Sequence, residues 1–330
     1  MKTGLTTEIL PASEAAAALA ARCLNEGGLV AFPTETVYGL GADAANAAAI
    51  ARLYQAKGRP AFNPLIAHVG DLDAATRIGR FDARATALAN AFWPGPLTLV
   101  VAKAADCPVA ELATAGLETV AIRVPAHAVA RAILRAFEGA VVAPSANLSG
   151  HVSPTTAAHV SSDLDGRIDL IIDGGPVEVG VESTIVGCFE APMLLRPGGV
   201  PREAIERVLG YRLVQPPLEA ESDSGQPLAP GMLASHYAPR TRVRLNAGEV
   251  EAGETLLAFG EQTLPGTERA AAVMNLSPRR DLAEAAANLF GYLRALDARG
   301  ARSIAVMPIP HEGLGEAIND RLRRAAVERE

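Results

Sequence analysis

Short apolar runs alternate with amphipathic stretches along the first two thirds of the chain. A short apolar run between turn residues is typical of a buried strand, whereas apolar residues spaced three and four apart are typical of a helix. The alternation indicates an α/β domain. The runs predict strands at 29–32, 65–69, 97–102, 119–124, 141–143, 168–173, 183–188 and 193–196, and the spacing predicts helices at 44–57, 82–92, 128–137 and 203–209.

The pattern is interrupted at residues 215–240, where QPPLEAESDSGQPLAPGMLASHYAPR is rich in Pro, Ser, Gly and acidic residues, as linkers are. A second α/β pattern follows. It predicts strands at 243–245, 255–259, 271–276 and 303–308 and helices at 281–297 and 314–327. The sequence therefore predicts a first domain over residues 1–212, a linker over 213–241 and a small α/β domain over 242–330. Met232, Leu233, His236 and Tyr237 are unusual in a passive tether, so we expect this part of the linker to dock.

Composition narrows the range of functions. The 330 residues carry a net charge of −7, and acidic side chains outnumber basic ones both before and after Gly210. A protein that neutralises many phosphates needs a basic surface, so broad nucleic-acid binding is not expected. The three cysteines lie far apart with no CxxC pair, which argues against a zinc knuckle or a disulfide framework. No apolar run reaches membrane-spanning length, so we expect a cytoplasmic protein without a membrane partner.

Candidate chemistry lies in polar clusters that follow predicted strands or helices. FPTETVYGLG at 32–41 is expected to be a loop after the first strand, and KGRPAFNPL at 57–65 follows a helix. Further clusters are the strand residues 119–123, the segment PSANLSG at 144–150, and EST at 182–184. The sequence contains neither G-x-x-x-x-G-K-[ST] nor G-x-G-x-x-G nor H-E-x-x-H. Hydroxyls and backbone N–H groups suit phosphate and carboxylate oxygens, and positive charge would come from Lys57, Arg59 and Arg123 in these clusters and from Arg196, a sixth element.

Each of these residues also has a purely structural interpretation. Ser and Thr after strands often cap helices or close turns, and Lys57 with Arg59 could complement the dipole at a helix end. His68 at a strand end is more often structural than catalytic. Arg123 interrupts the apolar strand VAIRVP, and a buried cation there needs a partner. A Ser–His–Asp triad stays open, although no G-x-S-x-G motif supports one.

The segments PTETVYGLG, KGRPAFNPL, PGPLTLV, AIRVP, APSANLSG and ESTIV resemble, in this order, the motifs of the YrdC-like domain. Nearly the whole chain, including SHYAPRT in the linker, resembles the long, two-domain form of the threonylcarbamoyl-AMP synthases. The resemblance implies a twisted, open mixed sheet for the first domain and a small Rossmann-like α/β domain after the linker.

The resemblance also implies a reaction. Enzymes of this family convert L-threonine, bicarbonate and ATP, with Mg²⁺, into L-threonylcarbamoyladenylate and pyrophosphate. A downstream threonylcarbamoyl transferase complex then modifies tRNA next to the anticodon, and we expect no stable tRNA binding by this chain. Two alternatives stay open: an RNA-binding module without chemistry, and a carbamoyl-transfer enzyme that uses carbamoyl phosphate.

The resemblance assigns residues to each substrate. Lys57 and Arg59 would be the catalytic cations at the phosphates, no protein ligand for a metal is expected, and Tyr237 with His236 would form a lid over the nucleotide. The threonine side would comprise Thr36, His68, Arg123, the backbone of Ala143, and Ser183. The ATP side would comprise Arg59, Asn63, Thr119, Ser145, Ser153, Arg196 and Tyr237.

Overall fold

The computed structural model describes residues 4–214 and 237–327, so most of the predicted linker, including Met232, Leu233 and His236, lies outside the described residues. The first part contains the strands β1 (Glu8–Pro11), β2 (Val30–Pro33), β3 (Tyr38–Asp43), β4 (Ile66–His68), β5 (Leu97–Ala102), β6 (Thr119–Arg123), β7 (Val141–Val142), β8 (Leu170–Asp173), β9 (Thr184–Gly187) and β10 (Met193–Arg196). Its helices are α1 (Glu14–Asn25), α2 (Ala47–Lys57), α3 (Leu72–Thr76), α4 (Ala83–Phe92), α5 (Glu111–Thr114), α6 (Ala128–Phe137), α7 (Ala157–Leu164) and α8 (Arg202–Leu209).

These strands form one ten-stranded sheet in the order β1-β8-β2-β3-β7-β4-β6-β5-β9-β10. The sheet is mixed, because β4 pairs with β6 in parallel while β2 pairs with β3 and β5 with β6 antiparallel. The predicted mixed α/β fold is therefore confirmed. Among the helices of residues 4–214 and 237–327, none combines the length and the apolar character that crossing a membrane requires.

The register of β4 and β6 determines which side chains face the candidate site. Ile66 pairs with Ala121 and His68 with Arg123. Because alternate residues of a strand point to opposite faces, these four side chains share one face of the sheet. The residues between them, such as Ala67 and Ile122 and their neighbours on β5, pack on the other face in the main hydrophobic core. His68 and Arg123 thus lie on the face opposite this core, next to a smaller buried apolar cluster that includes Ile66 and Ala121.

The expectation of a loop at 32–41 was wrong for its second half. Tyr38–Asp43 is strand β3, and Gly41 is needed there because a Cβ would lie 2.7 Å from the Phe32 ring. Only residues 34–37 turn, and the turn is closed by the hydroxyl of Thr34, which donates to the carbonyl of Val37 at 2.7 Å. The hydroxyls in this stretch therefore form a hairpin turn between two buried strands.

The pattern analysis missed β1, α1, α3, α5 and α7 and placed the start of α2 three residues too early. Helix α2 begins at Ala47 because the Asn46 side chain accepts from the N–H groups of Ala48 and Ala49. Helix α1 is alanine-rich and has Ser13 as its N-cap, so a local signal for it was present in the sequence.

The second part contains β11 (Arg242–Arg244), β12 (Glu254–Ala258), β13 (Val273–Asn275), β14 (Ser303–Val306), α9 (Leu282–Asp297) and α10 (Leu314–Ala325). Its strands form a four-stranded sheet in the order β11-β14-β12-β13, with every pairing parallel. This agrees with the expected small α/β unit: β11 and β12 have the predicted lengths, shifted by one residue, whereas β13 and β14 are shorter than predicted.

The two parts share a hydrophobic core. Val37, Val152 and Val181 of the first part belong to the same buried cluster as Leu289 and Phe290 of α9, together with other apolar residues of the second part. Helix α9 also lies directly against Gly180, where a Cβ would come within 2.3 Å of the carbonyl oxygen of Ala286. The second part is therefore packed tightly against the first, next to the turn that carries Val37.

Candidate active site

A cavity lies where the turn after β2, the ends of β4 and β6, the loop after β7 and the start of β9 meet. Its lining includes all five residues assigned to threonine, which are Thr36, His68, Arg123, Ala143 and Ser183. It also includes four of the residues assigned to ATP, which are Arg59, Ser145, Arg196 and Tyr237. Residues more than two hundred positions apart in sequence thus surround one space.

Arg123 has the partner that its burial demands. Its Nη2 lies 2.5 Å from Oε1 of Glu35, and its Nη1 donates to Oγ1 of Thr36 at 3.0 Å. The second oxygen of Glu35 accepts from the backbone N–H of Ala126 at 3.0 Å. Burial alone would raise the pKa of Glu35, but the Arg123 guanidinium outweighs it and holds the pKa below its ordinary value. The pair is therefore ionised, and the guanidinium is fixed at the wall of the cavity.

His68 is a neutral side chain in this cavity. It is buried, and its pKa falls to about 3 because burial and then the nearby Arg123 disfavour the charged form. Its Nδ1 lies 3.1 Å from the carbonyl oxygen of Ile66, so Nδ1 carries the proton and donates. His68 can therefore orient a ligand by hydrogen bonding, without adding charge.

Two further cations are anchored on backbone carbonyls. Nη2 of Arg59 donates to the carbonyl of Pro64 at 3.0 Å, and Nη2 of Arg196 donates to the carbonyl of Ser183 at 2.9 Å. Burial lowers the pKa of Arg59 to about 10 and lowers that of Arg196 as well. The Arg59 guanidinium still carries its charge at neutral pH. With Arg123, these residues make a strongly cationic lining that suits an anionic ligand.

Lys57, a predicted catalytic cation, is not part of the lining. Its ammonium is buried and donates to the carbonyl oxygens of Ser145 and Asn147 at 2.5 and 2.6 Å. Burial, and then the charge of Arg59, lower the pKa of Lys57 well below its ordinary value. In this geometry Lys57 holds the loop after β7 in place, and a direct contact with phosphate stays a prediction.

Three residues assigned to ATP are also outside the lining. Ser153 donates to Oε1 of Glu182 at 2.5 Å, and Thr119 lies at the opposite end of β6 from Arg123, on the same face. Asn63 is buried, its carbonyl accepts from Arg59, and its side-chain Oδ1 has no hydrogen-bond partner among residues 4–214 and 237–327. Their contacts with the nucleotide stay predictions.

Tyr237 reaches the cavity from the second part of the molecule. It is buried, its ring stacks on Phe290 of α9 at a centroid distance of 5.6 Å, and its φ of 62° is unusual for a residue other than glycine. The prediction that Tyr237 belongs to the site agrees with this position. The ring is held by helix α9, whereas the other residues of the predicted lid lie outside the described residues.

Sequence reasoning missed Arg321. This side chain of α10 is fully buried. Its Nε lies 2.8 Å from Oε2 of Glu182, and its guanidinium carbon lies 5.1 Å from the centroid of the Tyr237 ring. The available signal was its spacing, because Arg321 falls on the apolar face of α10 that also carries Ile318 and Ala325.

Two family models match this chain in consecutive parts. Residues 22–198 match the family model described as "Telomere recombination", and residues 200–327 match "Threonylcarbamoyl-AMP synthase, C-terminal domain". The threonylcarbamoyl-AMP synthase of Bacillus subtilis is 42% identical over 97% of this chain and 95% of its own length. That of Pyrococcus abyssi is 42% identical over 93% of both chains.

Solved structures extend the comparison to the fold. The crystal structure of P. abyssi Sua5 complexed with L-threonine superposes with a TM-score of 0.86, at 38% identity, over 98% of this chain and 97% of that one. Both parts of the molecule and nearly its whole length are therefore shared with these relatives. The chain belongs to the threonylcarbamoyl-AMP synthase family.

Proposed function

We propose that this chain is an enzyme that makes L-threonylcarbamoyladenylate from L-threonine, bicarbonate and ATP with release of pyrophosphate. The observation that carries the proposal is the single cavity lined by all five threonine-side residues and by Arg59, Ser145, Arg196 and Tyr237. The family relationship supports it, as does the L-threonine bound to the related P. abyssi protein.

The chemistry proceeds in two steps. The threonine amine and bicarbonate give a carbamate with loss of water. A carbamate oxygen then attacks the α-phosphorus of ATP, and the bond from that phosphorus to the bridging oxygen of pyrophosphate breaks. An anion must approach a polyanion, so the protein contributes mainly charge neutralisation and alignment. A cationic lining without an activated nucleophile fits this requirement.

The threonine carboxylate is expected to bind Arg123. Nη1 of Arg123 donates to the hydroxyl of Thr36, and Glu35 fixes the other side of the guanidinium. A carboxylate that arrives at Nη1 meets a donor whose direction is already set, which lowers the entropic cost of binding. Neutral His68 and the hydroxyl of Ser183 then complete the polar surroundings of the substrate.

The phosphates are expected to bind Arg59 and Arg196. In residues 4–214 and 237–327, no three His, Cys, Asp or Glu side chains gather in a group that could hold a metal ion. Glu182, the carboxylate that lines the cavity, is bonded to Arg321 and Ser153. We therefore propose that Mg²⁺ enters with ATP as part of the substrate, coordinated by the phosphates.

The wider role follows from the product. The adenylate is an activated carbamoyl donor, and a separate threonylcarbamoyl transferase complex would pass the group to tRNA in the cytoplasm. The division into a catalytic domain at 1–212, a linker at 213–241 and a C-terminal domain at 242–330 is part of the proposal, as is a lid role for the linker over the nucleotide. Deletion of residues 231–239 is expected to leave a folded protein that releases or hydrolyses the adenylate faster.

The decisive experiment incubates the protein with Mg-ATP, L-threonine and ¹⁴C-bicarbonate and detects labelled adenylate by chromatography. We expect label in the product only when threonine and bicarbonate are both present. Pyrophosphate release that is unchanged without bicarbonate, or equal with serine, would overturn the proposal. Replacing bicarbonate by carbamoyl phosphate tests the carbamoyl-transfer alternative, and omitting RNA throughout tests the RNA-binding one.

A further inference from the structure

A carboxylate in a cavity for anionic substrates must be neutralised, and Glu182 is such a carboxylate. It lines the cavity together with Arg59 and Arg196. Burial alone would raise the pKa of Glu182, but Arg321 and then Arg196 outweigh it and hold the pKa below its ordinary value. Glu182 is therefore ionised and would repel the carbamate and the phosphates that the proposed function brings here.

The neutralising charge comes from the other domain. Arg321 of α10 donates through Nε to Oε2 of Glu182 at 2.8 Å, and Ser153 donates to Oε1 at 2.5 Å. Nη1 of Arg321 is held by the carbonyl of Pro197 at 2.9 Å and by Asp320 at 2.7 Å. Both oxygens of Glu182 are thus engaged, and the arginine is also held by two residues that do not line the cavity.

Arg321 also supports a second lining residue. Its guanidinium lies over one face of the Tyr237 ring, while Phe290 stacks on that ring at 5.6 Å. A cation over a desolvated aromatic face is attracted by the electrons of the ring, so this contact stabilises the position of Tyr237. Arg321 therefore contacts Glu182 and Tyr237 without being part of the cavity lining itself.

We propose that Arg321 is a positioning residue through which the C-terminal domain completes the nucleotide side of the site, an inference that rests on the proposed function. It neutralises Glu182, so that Glu182 does not compete with the ATP phosphates for Arg196, and it holds the Tyr237 ring in the wall. Removal of Arg321 leaves a buried negative charge next to Arg196, and an unpaired buried charge is strongly unfavourable.

The test is calorimetric titration with Mg-ATP, together with KM values for ATP and threonine from adenylate formation. Arg321→Met is expected to weaken ATP binding and raise the KM for ATP by about tenfold or more, with the KM for threonine within about threefold of wild type. The double variant Arg321→Met/Glu182→Gln removes the unpaired charge but not the loss of support for Tyr237, so we expect ATP affinity between that of Arg321→Met and that of wild type, at least about threefold tighter than Arg321→Met.

A matched control lies on the same helix. Glu316→Gln removes the ion pair between Glu316 of α10 and Arg202, which also joins the two domains but does not line the cavity. It is expected to leave ATP affinity within about threefold of wild type. If Arg321→Met does not fold, Arg321→Lys, which keeps the positive charge, is compared with the double variant: Arg321→Lys should bind ATP within about threefold of wild type and the double variant should bind it more weakly, and equal affinities would overturn the inference.

Three results would overturn the inference: a folded Arg321→Met variant with unchanged ATP affinity, a double variant no better than Arg321→Met, or an equal rise in both KM values. Wild-type protein that binds no Mg-ATP would overturn it too. Wild-type protein that binds Mg-ATP but makes no adenylate would instead refute the proposed function.

Discussion

The cavity has two walls that are built in different ways. The sheet wall, defined as Thr36, His68 and Arg123, comes from adjacent strands and one hairpin turn of the large sheet. The docked wall, defined as Tyr237 and Glu182, depends on α9 and α10 of the second domain through Phe290 and Arg321. The sheet wall is fixed by strand register, whereas the docked wall is held in place by contacts with the second domain.

This difference predicts how each wall responds to change. A strand register is shared by many hydrogen bonds, so one substitution removes a group but leaves its neighbours in place. A docked interface depends on fewer contacts, so one substitution can displace several lining residues together. Substitutions in the sheet wall should therefore weaken mainly threonine binding, and substitutions in the docked wall should weaken mainly ATP binding.

The largest effect is expected for Arg123→Met in the sheet wall. The variant removes the proposed carboxylate ligand and leaves Glu35 buried without its partner. We expect a loss of unfolding free energy of about 3–5 kcal/mol and threonine affinity reduced by more than about a hundredfold. Urea denaturation and calorimetric titration with threonine measure the two quantities.

The control for this variant is Arg84→Met, which removes the exposed pair between Arg84 and Asp82. An exposed pair is screened by solvent and contributes little, so stability and threonine affinity should stay close to wild type. If Arg123→Met kept its threonine affinity, Arg123 would not be the carboxylate ligand and the specificity of the sheet wall would need another source.

The next effect is expected for Gly180→Ala at the domain interface. A Cβ at Gly180 would lie 2.3 Å from the carbonyl oxygen of Ala286, and its φ of +76° disfavours alanine in any case. The clash and the backbone strain together should cost about 2–4 kcal/mol of unfolding free energy. Because α9 supports Tyr237, the KM for ATP should rise more than the KM for threonine.

Gly175→Ala separates the two causes. Gly175 has a similar φ of +81°, but a Cβ there would meet nothing within 4 Å. This variant should show only the backbone strain of about 1 kcal/mol, with both KM values unchanged. Equal losses in the two glycine variants would mean that close packing of the domains does not support the docked wall.

A smaller effect is expected for Arg59→Ala. Loss of one charge-assisted hydrogen bond costs roughly 1.5–3 kcal/mol, so ATP affinity should fall about ten- to a hundredfold. Threonine affinity, measured by titration without nucleotide, should stay unchanged because Arg59 is not one of the residues that are expected to contact threonine. If Arg59→Ala lowered the affinities for ATP and threonine equally, Arg59 would not be specific for the nucleotide side of the cavity.

The sequence predicts the sheet wall better than it predicts the docked wall. The strands that carry His68 and Arg123 have strong apolar patterns, and a cation inside such a strand indicates that it must have a buried partner. Glu35 and Thr36 lie in the polar segment FPTETVYGLG at 32–41. Their convergence with Arg123 follows once neighbouring strands are placed in one sheet.

Arg321 could not be found in the same way. It lies 139 positions from Glu182, and the contact between them exists only because α10 docks on the first domain. No local pattern encodes that docking. Lys57 illustrates a related limit, since its position at the end of α2 was predicted, but the direction of its ammonium depends on where the loop after β7 passes.

The smallest effect concerns pH. His68 has its pKa lowered from 6.5 to about 3 by burial and by Arg123, so the unfolded chain binds a proton between these values and the folded protein does not. Stability is therefore fully present above pH 6.5 and is lost as the pH falls toward 3, with a slope of at most about 1.4 kcal/mol per pH unit. His68→Gln should flatten the stability profile between pH 6 and 5.

His159 on α7 provides the corresponding test on the side of the molecule that faces the second domain. Burial, and then the charge of Arg294 on α9, lower its pKa to about 4, so His159→Gln should also flatten the profile. Only His68→Gln should change threonine affinity, because only His68 lines the cavity. Urea denaturation at pH 5, 6 and 7, with a threonine titration at pH 7, measures both. An unchanged slope in His68→Gln would mean that folding does not lower the pKa of His68, and burial next to Arg123 would not be what keeps this histidine neutral.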